Sequence, residues 1–87
     1  MTTLIAKEQI SEYQIVPAFV DKSEYWQDEL KYAVRLGNEF KGKTVITFET
    51  TQGPRTVETT VWSVTDKYVG LKSGTNIPLE SIIDIHH

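Results

Sequence analysis

Thr44-Val45-Ile46-Thr47-Phe48-Glu49-Thr50, then Thr51-Gln52-Gly53-Pro54, then the run from Arg55 to Val64, together decide how this chain folds. The first seven residues are mostly β-branched or aromatic, types that suit a pleated, half-buried surface, and a period of two puts Ile46 and Phe48 on one face. Gly53 tolerates positive φ and Pro54 cannot donate to a ladder, so the chain turns there between two strands. Beyond the turn, Val57, Thr59 and Val61 share one face, and Glu58, Thr60, Trp62 and Val64 share the other. A typical strand has about 5 to 6 residues, so so long a β-branched run predicts a strand that bends and serves two parts of a barrel.

The same pattern continues toward the C-terminus. Thr65-Asp66 predicts a tight corner, because short polar side chains can bond back to the main chain. In Tyr68-Val69-Gly70-Leu71-Lys72, Val69 and Leu71 face inward, and Gly70 on the opposite face marks a bulge or a close approach of another backbone. Lys72-Ser73-Gly74-Thr75 reads as a hairpin turn. Ile77 and Leu79 alternate around Pro78, which places that strand at an edge. A helical turn over residues 78–81 and a last strand over 82–85 complete the pattern. The expected fold class is α+β, an N-terminal helix packed on a small, roughly five-stranded antiparallel β-barrel.

Phe40-Lys41-Gly42, Val45-Ile46-Thr47-Phe48, Gly53, Asp66 and the ending Gly74-Thr75-Asn76-Ile77-Pro78-Leu79-Glu80-Ser81-Ile82-Ile83-Asp84-Ile85 resemble the pattern of small Sm-like and SH3-like barrels. The ending also resembles bacterial YolD-like proteins, which close with a pre-proline isoleucine strand and a paired isoleucine strand. The Sm-like resemblance implies an oligomeric ring that binds RNA. The YolD-like one implies a regulatory protein partner, since those relatives are associated with DNA-repair polymerases. The asparagine-containing and arginine-glycine loops with which typical Sm proteins hold RNA bases are missing: Asp66 is followed by Lys67-Tyr68-Val69, and Leu71 by Lys72-Ser73-Gly74. The resemblance therefore implies the fold more than RNA binding.

Upstream of the strands, the reading divides the chain into an arm at 1–20, expected to be disordered in part, and one helix-plus-barrel domain at 21–87. Residues 4–13 have the composition of a short helix with sparse apolar positions. Tyr13, Ile15, Pro17 and Phe19 then alternate with Gln14, Val16, Ala18 and Val20, as in an extended segment lying on its own domain or on a partner. Asp21 opens a helix, with Glu24 placed for a capping box and Val20 for a hydrophobic staple on Tyr25. Trp26, Leu30, Ala33, Val34, Gly37 and Phe40 form one helical face, and Tyr25, Tyr32 and Leu36 a second shoulder, with Glu29 between them. The helix ends at Gly37 or Gly42. So small a barrel, with no disulfide, needs the main helical face in its core.

The function classes narrow mainly by exclusion. Eighty-seven residues, 39% apolar and 24% charged, describe one ordinary globular domain. Cysteine is absent, which excludes disulfides, thiolate nucleophiles and cysteine-ligated zinc. The short apolar runs and the start Met1-Thr2-Thr3 lead to the expectation of a cytoplasmic protein, neither membrane-bound nor secreted. Residues 1–40 hold Lys7, Lys22, Lys31 and Arg35 against Glu8, Glu12, Asp21, Glu24, Asp28, Glu29 and Glu39, whereas residues 41–87 hold five basic and five acidic side chains. That balance disfavours nucleic acid as the main partner.

No residue set specifies catalysis, and no cofactor or metal is expected. His86 and His87 are adjacent, so strand geometry points them to opposite faces, and they have the look of a purification tag. Glu49 and Glu58 are the carboxylates that a first hairpin would bring closest. The leading expectation is a non-enzymatic module that binds another protein through the arm, the helix shoulder or a barrel edge, with Tyr13, Ile15, Phe19, Tyr25, Tyr32 and Leu36 as candidate contacts. The alternative is a ring-forming Sm-like RNA binder using Arg55, Lys67, Tyr68 and Lys72. Trp62 would add a stacking platform if it faced out, but its place in mid-strand favours a buried position.

Overall fold

The computed structural model describes residues 3–40, 43–72 and 74–86 and, within them, all side chains except those of Lys7, Ala33 and residues 36–40. The elements are β1 (Thr3–Ile5), a 3₁₀ helix (Lys7–Glu12), α1 (Ser23–Phe40), β2 (Thr44–Thr50), β3 (Gly53–Thr59), β4 (Val61–Val64), β5 (Tyr68–Leu71), β6 (Asn76–Pro78), a 3₁₀ turn (Leu79–Ser81) and β7 (Ile82–His86). The class is α+β. The strands form two sheets, ordered β1-β3-β2-β7 and β4-β5-β6. No ladder among the described residues closes the two sheets into one hydrogen-bonded barrel.

The bend expected in the long second strand falls at Thr60. β3 ends at Thr59 and β4 starts at Val61, so one continuous run belongs to both sheets. Its inward face carries Val57, Thr59 and Val61, all buried, and joins Ile46, Phe48, Val69, Leu71, Ile77, Leu79, Ile82 and Ile85 in a single core. The alternation then resets. The β4–β5 register shifts between Val61 and Ser63, so that Val64 pairs with Val69 and turns toward the core. Trp62 is the extra residue at that bulge. It is 56% exposed, which corrects the expected buried position: it lies on the face opposite the inward Val61, as the period of two requires, and the bulge re-aims Val64 instead.

Two further departures raise the strand count to seven. The bend divides one strand in two, and β1 adds a strand in parallel to β3, with Leu4 opposite Thr56. Residues 7–12 are 3₁₀ helix after that short strand, in place of the single short helix expected over 4–13. Ile5 and Ile10 are both in the core, so the segment is tied down by burial.

The turns follow the expected chemistry. Gly53 and Gly74 have φ of 99° and 87°, a region that favours glycine. The Thr65 hydroxyl accepts the N–H groups of Lys67 (3.2 Å) and Tyr68 (3.0 Å), fixing the β4–β5 corner. Ser81 donates its hydroxyl to the Pro78 carbonyl at 2.6 Å across the 3₁₀ turn before β7. Gly70 is held by close neighbours: a Cβ there would lie 2.3 Å from Ser63 Oγ and 3.3 Å from Asn76 Oδ1.

Helix α1 packs on β4, β7 and the 3₁₀ turn that precedes β7. Trp26 and Leu30 are buried, Val34 packs against the core, and Trp26 Nε1–H donates to the Ile82 carbonyl at 3.0 Å. The helix runs past Gly37. The expected stop at Gly42, the side chains of Ala33, Leu36, Gly37 and Phe40, and Ser73 and His87 lie outside the described residues.

Candidate functional site

The arm reaches the helix by running along the end of β2, and its backbone is bonded as it goes. Thr51 N–H donates to the Gln14 carbonyl (3.0 Å), Val16 N–H to the Glu49 carbonyl (3.2 Å) and Ala18 N–H to the Glu80 carbonyl (2.8 Å). Ile15 stands opposite Thr50 in an isolated bridge. Tyr13 and Ile15 are half-buried against the core, and the Arg55 guanidinium lies 5.2 Å from the centre of the Tyr13 ring. These two candidate contacts face inward.

At Phe19 the same segment changes character. Phe19 is fully exposed, at 103% of its reference surface, and Val20 beside it is also exposed. Two residues later the chain is fixed again, where the Asp21 carboxylate accepts the N–H of Ser23 (2.9 Å) and the Ser23 hydroxyl. These bonds, the side-chain one first, hold the Asp21 carboxyl below its ordinary range. The expected staple hides little surface, since Val20 and Tyr25 both stay more than half exposed. An apolar pair is thus presented between two anchors, Ala18 and Asp21. A hollow next to it is lined by Phe19, Val20, Ile82 and Ile83, with Lys22 and Glu49 also on its wall.

The helix shoulder faces solvent. Tyr25 and Tyr32 are exposed, and Tyr25 meets Trp26 edge-to-face with ring centres 4.8 Å apart. Seven residues apart, the two tyrosines lie two turns along one side of α1, a separation of about 10 Å. Leu36, the third candidate on this shoulder, has a side chain outside the described residues. Phe19, Tyr25 and Tyr32 therefore face out, while Tyr13 and Ile15 hold the arm to the sheet.

The candidate nucleic-acid contacts are spread over two sheets. Arg55 is on β3, where it covers Tyr13 and donates from Nη1 to the Pro54 carbonyl at 2.8 Å. Lys67 and Lys72 flank opposite ends of β5, and Lys67 shares a hollow with Asp66 and Glu80. The one feature that gains weight is aromatic. Trp62 and Tyr68 are both exposed on the β4–β5 ribbon, Trp62 on the face opposite the buried Val61.

Chemistry by carboxylates finds no support in the geometry of the first hairpin. Glu58 pairs with Val45 and Glu49 with Pro54, so the two stand at opposite ends of the ladder, and Glu58 lies 3.9 Å from the Lys43 ammonium. His86 Nε2 lies 2.6 Å from Asp84 Oδ2 at the exposed end of β7. Among the described residues no three His, Asp or Glu side chains are grouped to hold a metal ion, and no helix is long and apolar enough to cross a membrane. No protein-family model, no curated protein and no solved structure matches this chain.

Proposed function

We propose that the protein is a non-enzymatic interaction module whose protein-binding surface is centred on Phe19, Val20 and Ile83, with the Tyr25–Tyr32 shoulder as its flank. The observation that carries this reading is the exposure of Phe19 between the hydrogen-bonded Ala18 and the Asp21–Ser23 turn. A large aromatic displayed on a tethered backbone contributes apolar area on binding at little cost in chain entropy. The two sheets, joined through the bent β3–β4 run and sharing one core, are read as the halves of an Sm-like or SH3-like barrel. Their strand order β7-β2-β3 and β4-β5-β6 supports that assignment.

The test is site-specific. Phe19→p-benzoylphenylalanine, expressed in the source cells and irradiated, is expected to give a discrete cross-linked protein that the same photoreactive residue at Gln52 does not give. Cross-linking equal at both positions would sink the reading.

The exposure of Trp62 beside Tyr68 favours a second reading, an oligomeric RNA binder that stacks bases on the β4–β5 ribbon. Light scattering at two salt concentrations and a fluorescence titration with oligouridine address it together. A salt-stable ring of chains, with quenching lost in Trp62→Phe, is its expected signature. A monomer or dimer with no quenching would remove it.

A further inference from the structure

We propose that the outer face of the β4-β5-β6 sheet, together with a hollow at its end, binds a neutral oligosaccharide. The site shares no residue with the Phe19 surface, so it stands or falls independently of the protein-binding reading. Val61, Val69, Leu71 and Ile77 point into the core, which leaves Tyr68, Gly70, Asn76 and Pro78 outward, and the extra residue of the bulge turns both Trp62 and Ser63 to that same side. Gly70 lies in the middle, opposite Ser63 on one neighbouring strand and Asn76 on the other. Without a side chain of its own, it lets the Ser63 hydroxyl and the Asn76 amide oxygen close over it, 2.3 and 3.3 Å from where a Cβ would lie. The result is a low polar strip between two rings, Trp62 at 56% and Tyr68 at 48% exposure. Two to three residues of strand separate the rings, roughly 7–10 Å, a gap that a short chain of linked sugars spans.

At the Tyr68 end the strip opens into a hollow of about 310 Å³, walled by Tyr68 and Pro78 and by the polar side chains of Ser23, Asp66, Lys67 and Glu80. Three elements converge there: the start of α1, the β4–β5 corner and the 3₁₀ turn before β7. Among the described residues, none of Asp66, Lys67 and Glu80 is in an ion pair. These groups select the ligand. A carboxylate accepts protons from hydroxyl groups and an ammonium donates to hydroxyl or ring oxygens, while the aromatic faces receive the C–H faces of sugar rings. An apolar peptide laid in the hollow would cover the three charged groups without pairing them, which is costly. A nucleic-acid strand draws its affinity from cations, and here Lys67 and, just past the far end of β5, Lys72 are offset by Asp66 and Glu80. A face of two carboxylates and two lysines, with hydroxyl and amide groups between its rings, suits a ligand rich in hydroxyls and without charge.

The probes are cellohexaose, maltohexaose, chitohexaose and mannohexaose, each titrated into the isotope-labelled full chain and followed by amide and indole N–H shifts, with oligouridine as the charged comparison. At least one of the four saccharides is expected to give saturable shifts at the Trp62 indole, Tyr68, Gly70 and Asp66, with the buried Trp26 indole unmoved. Its binding should weaken about tenfold or more in Trp62→Ala, Tyr68→Ala and Asp66→Asn, and stay unchanged in Gln52→Ala. Tm is measured for each variant, and Asp66→Asn, a change of shape-matched exposed side chains, decides the matter if an aromatic variant fails to fold. No saturable binding of any of the four, shifts centred on Phe19 and Ile83, or undiminished binding in the variants would each overturn the proposal. Tighter binding of oligouridine on the same residues would also overturn it, in favour of the RNA reading.

Discussion

Replacing Trp26 measures how firmly the helix is built into the core, and two substitutions separate the reasons. Trp26→Phe keeps most of the ring but removes the Nε1–H donor that lies 3.0 Å from the buried Ile82 carbonyl. An acceptor left unsatisfied in such a place costs about 1–3 kcal/mol. Trp26→Ala also empties the volume of an indole that is 6% exposed, and large aromatic-to-alanine changes in cores cost about 3–5 kcal/mol. Urea unfolding followed by far-ultraviolet circular dichroism gives both values, with an unchanged slope showing that the same surface is exposed on unfolding. In a domain of this size each kcal/mol lowers Tm by about 4–8 °C, so the alanine variant should melt well over ten degrees early. A phenylalanine variant as stable as the parent would show that the bond to Ile82 contributes nothing. An alanine variant within about 1 kcal/mol of the parent would show that α1 is not part of the core.

The other expectations are shorter. Gly70→Ala should destabilise by about 1–3 kcal/mol, the usual range for overpacking, and adding Ser63→Ala should restore most of the loss by removing the hydroxyl 2.3 Å from the new Cβ; a double-mutant cycle in urea reads the coupling. Ile10→Ala, at a fully buried position in the first 3₁₀ helix, should cost about 2–5 kcal/mol, which a benign effect on Tm would contradict. The Asp21 carboxyl is held below its ordinary value of 3.8 by its bonds from Ser23, so its contribution is full above that value and fades as the pH falls through and below it. Asp21→Ala should therefore lower Tm at neutral pH, with the gap from the parent narrowing toward about pH 2.

What was legible in the sequence is what short-range periodicity and turn chemistry encode. The inward positions of Ile46, Phe48, Val57, Val61, Val69, Leu71, Ile77 and Leu79, the turn at Gly53, the crowding at Gly70 and the helical turn before β7 all follow from a period of two and from residues with few conformational options. That the long run bends followed from its length, but its place at Thr60 did not. The outward position of Trp62 was legible in the same alternation, since it follows the inward Val61, whereas the inward turn of Val64 was not, because a bulge inserts one residue without any residue type that announces it. Ile5 and Ile10 were not legible either. They sit in a stretch with neither helical nor strand periodicity, and what buries them is β3, some fifty residues away in the chain. For the candidate site, alternation marked Phe19 but could not tell it from Tyr13 and Ile15. All three share one side of the segment, so the distinction depends on where the segment leaves β2, after Val16, and only the tertiary fold decides that.

The separation of Tyr13 and Ile15 from Phe19 bears directly on how this surface can bind. A flexible apolar arm would have to be ordered by its partner, at roughly 1–2 kcal/mol of backbone entropy for each residue fixed. Here folding has already met that cost. Bonds to Gln14, Val16 and Ala18 fix the approach, the Asp21–Ser23 turn fixes the exit, and the two half-buried side chains clamp the segment to β2 and β3. Folding itself does not need the exposed phenylalanine, since Phe19 buries no surface of its own. A residue that adds nothing to the core yet is held in place by a network that orders its neighbours leaves its whole apolar area available for association. Affinity lost on removing that ring, with Tm unchanged, would therefore be a pure binding effect, and the Phe19→Ala variant can test the protein-binding surface without a correction for stability.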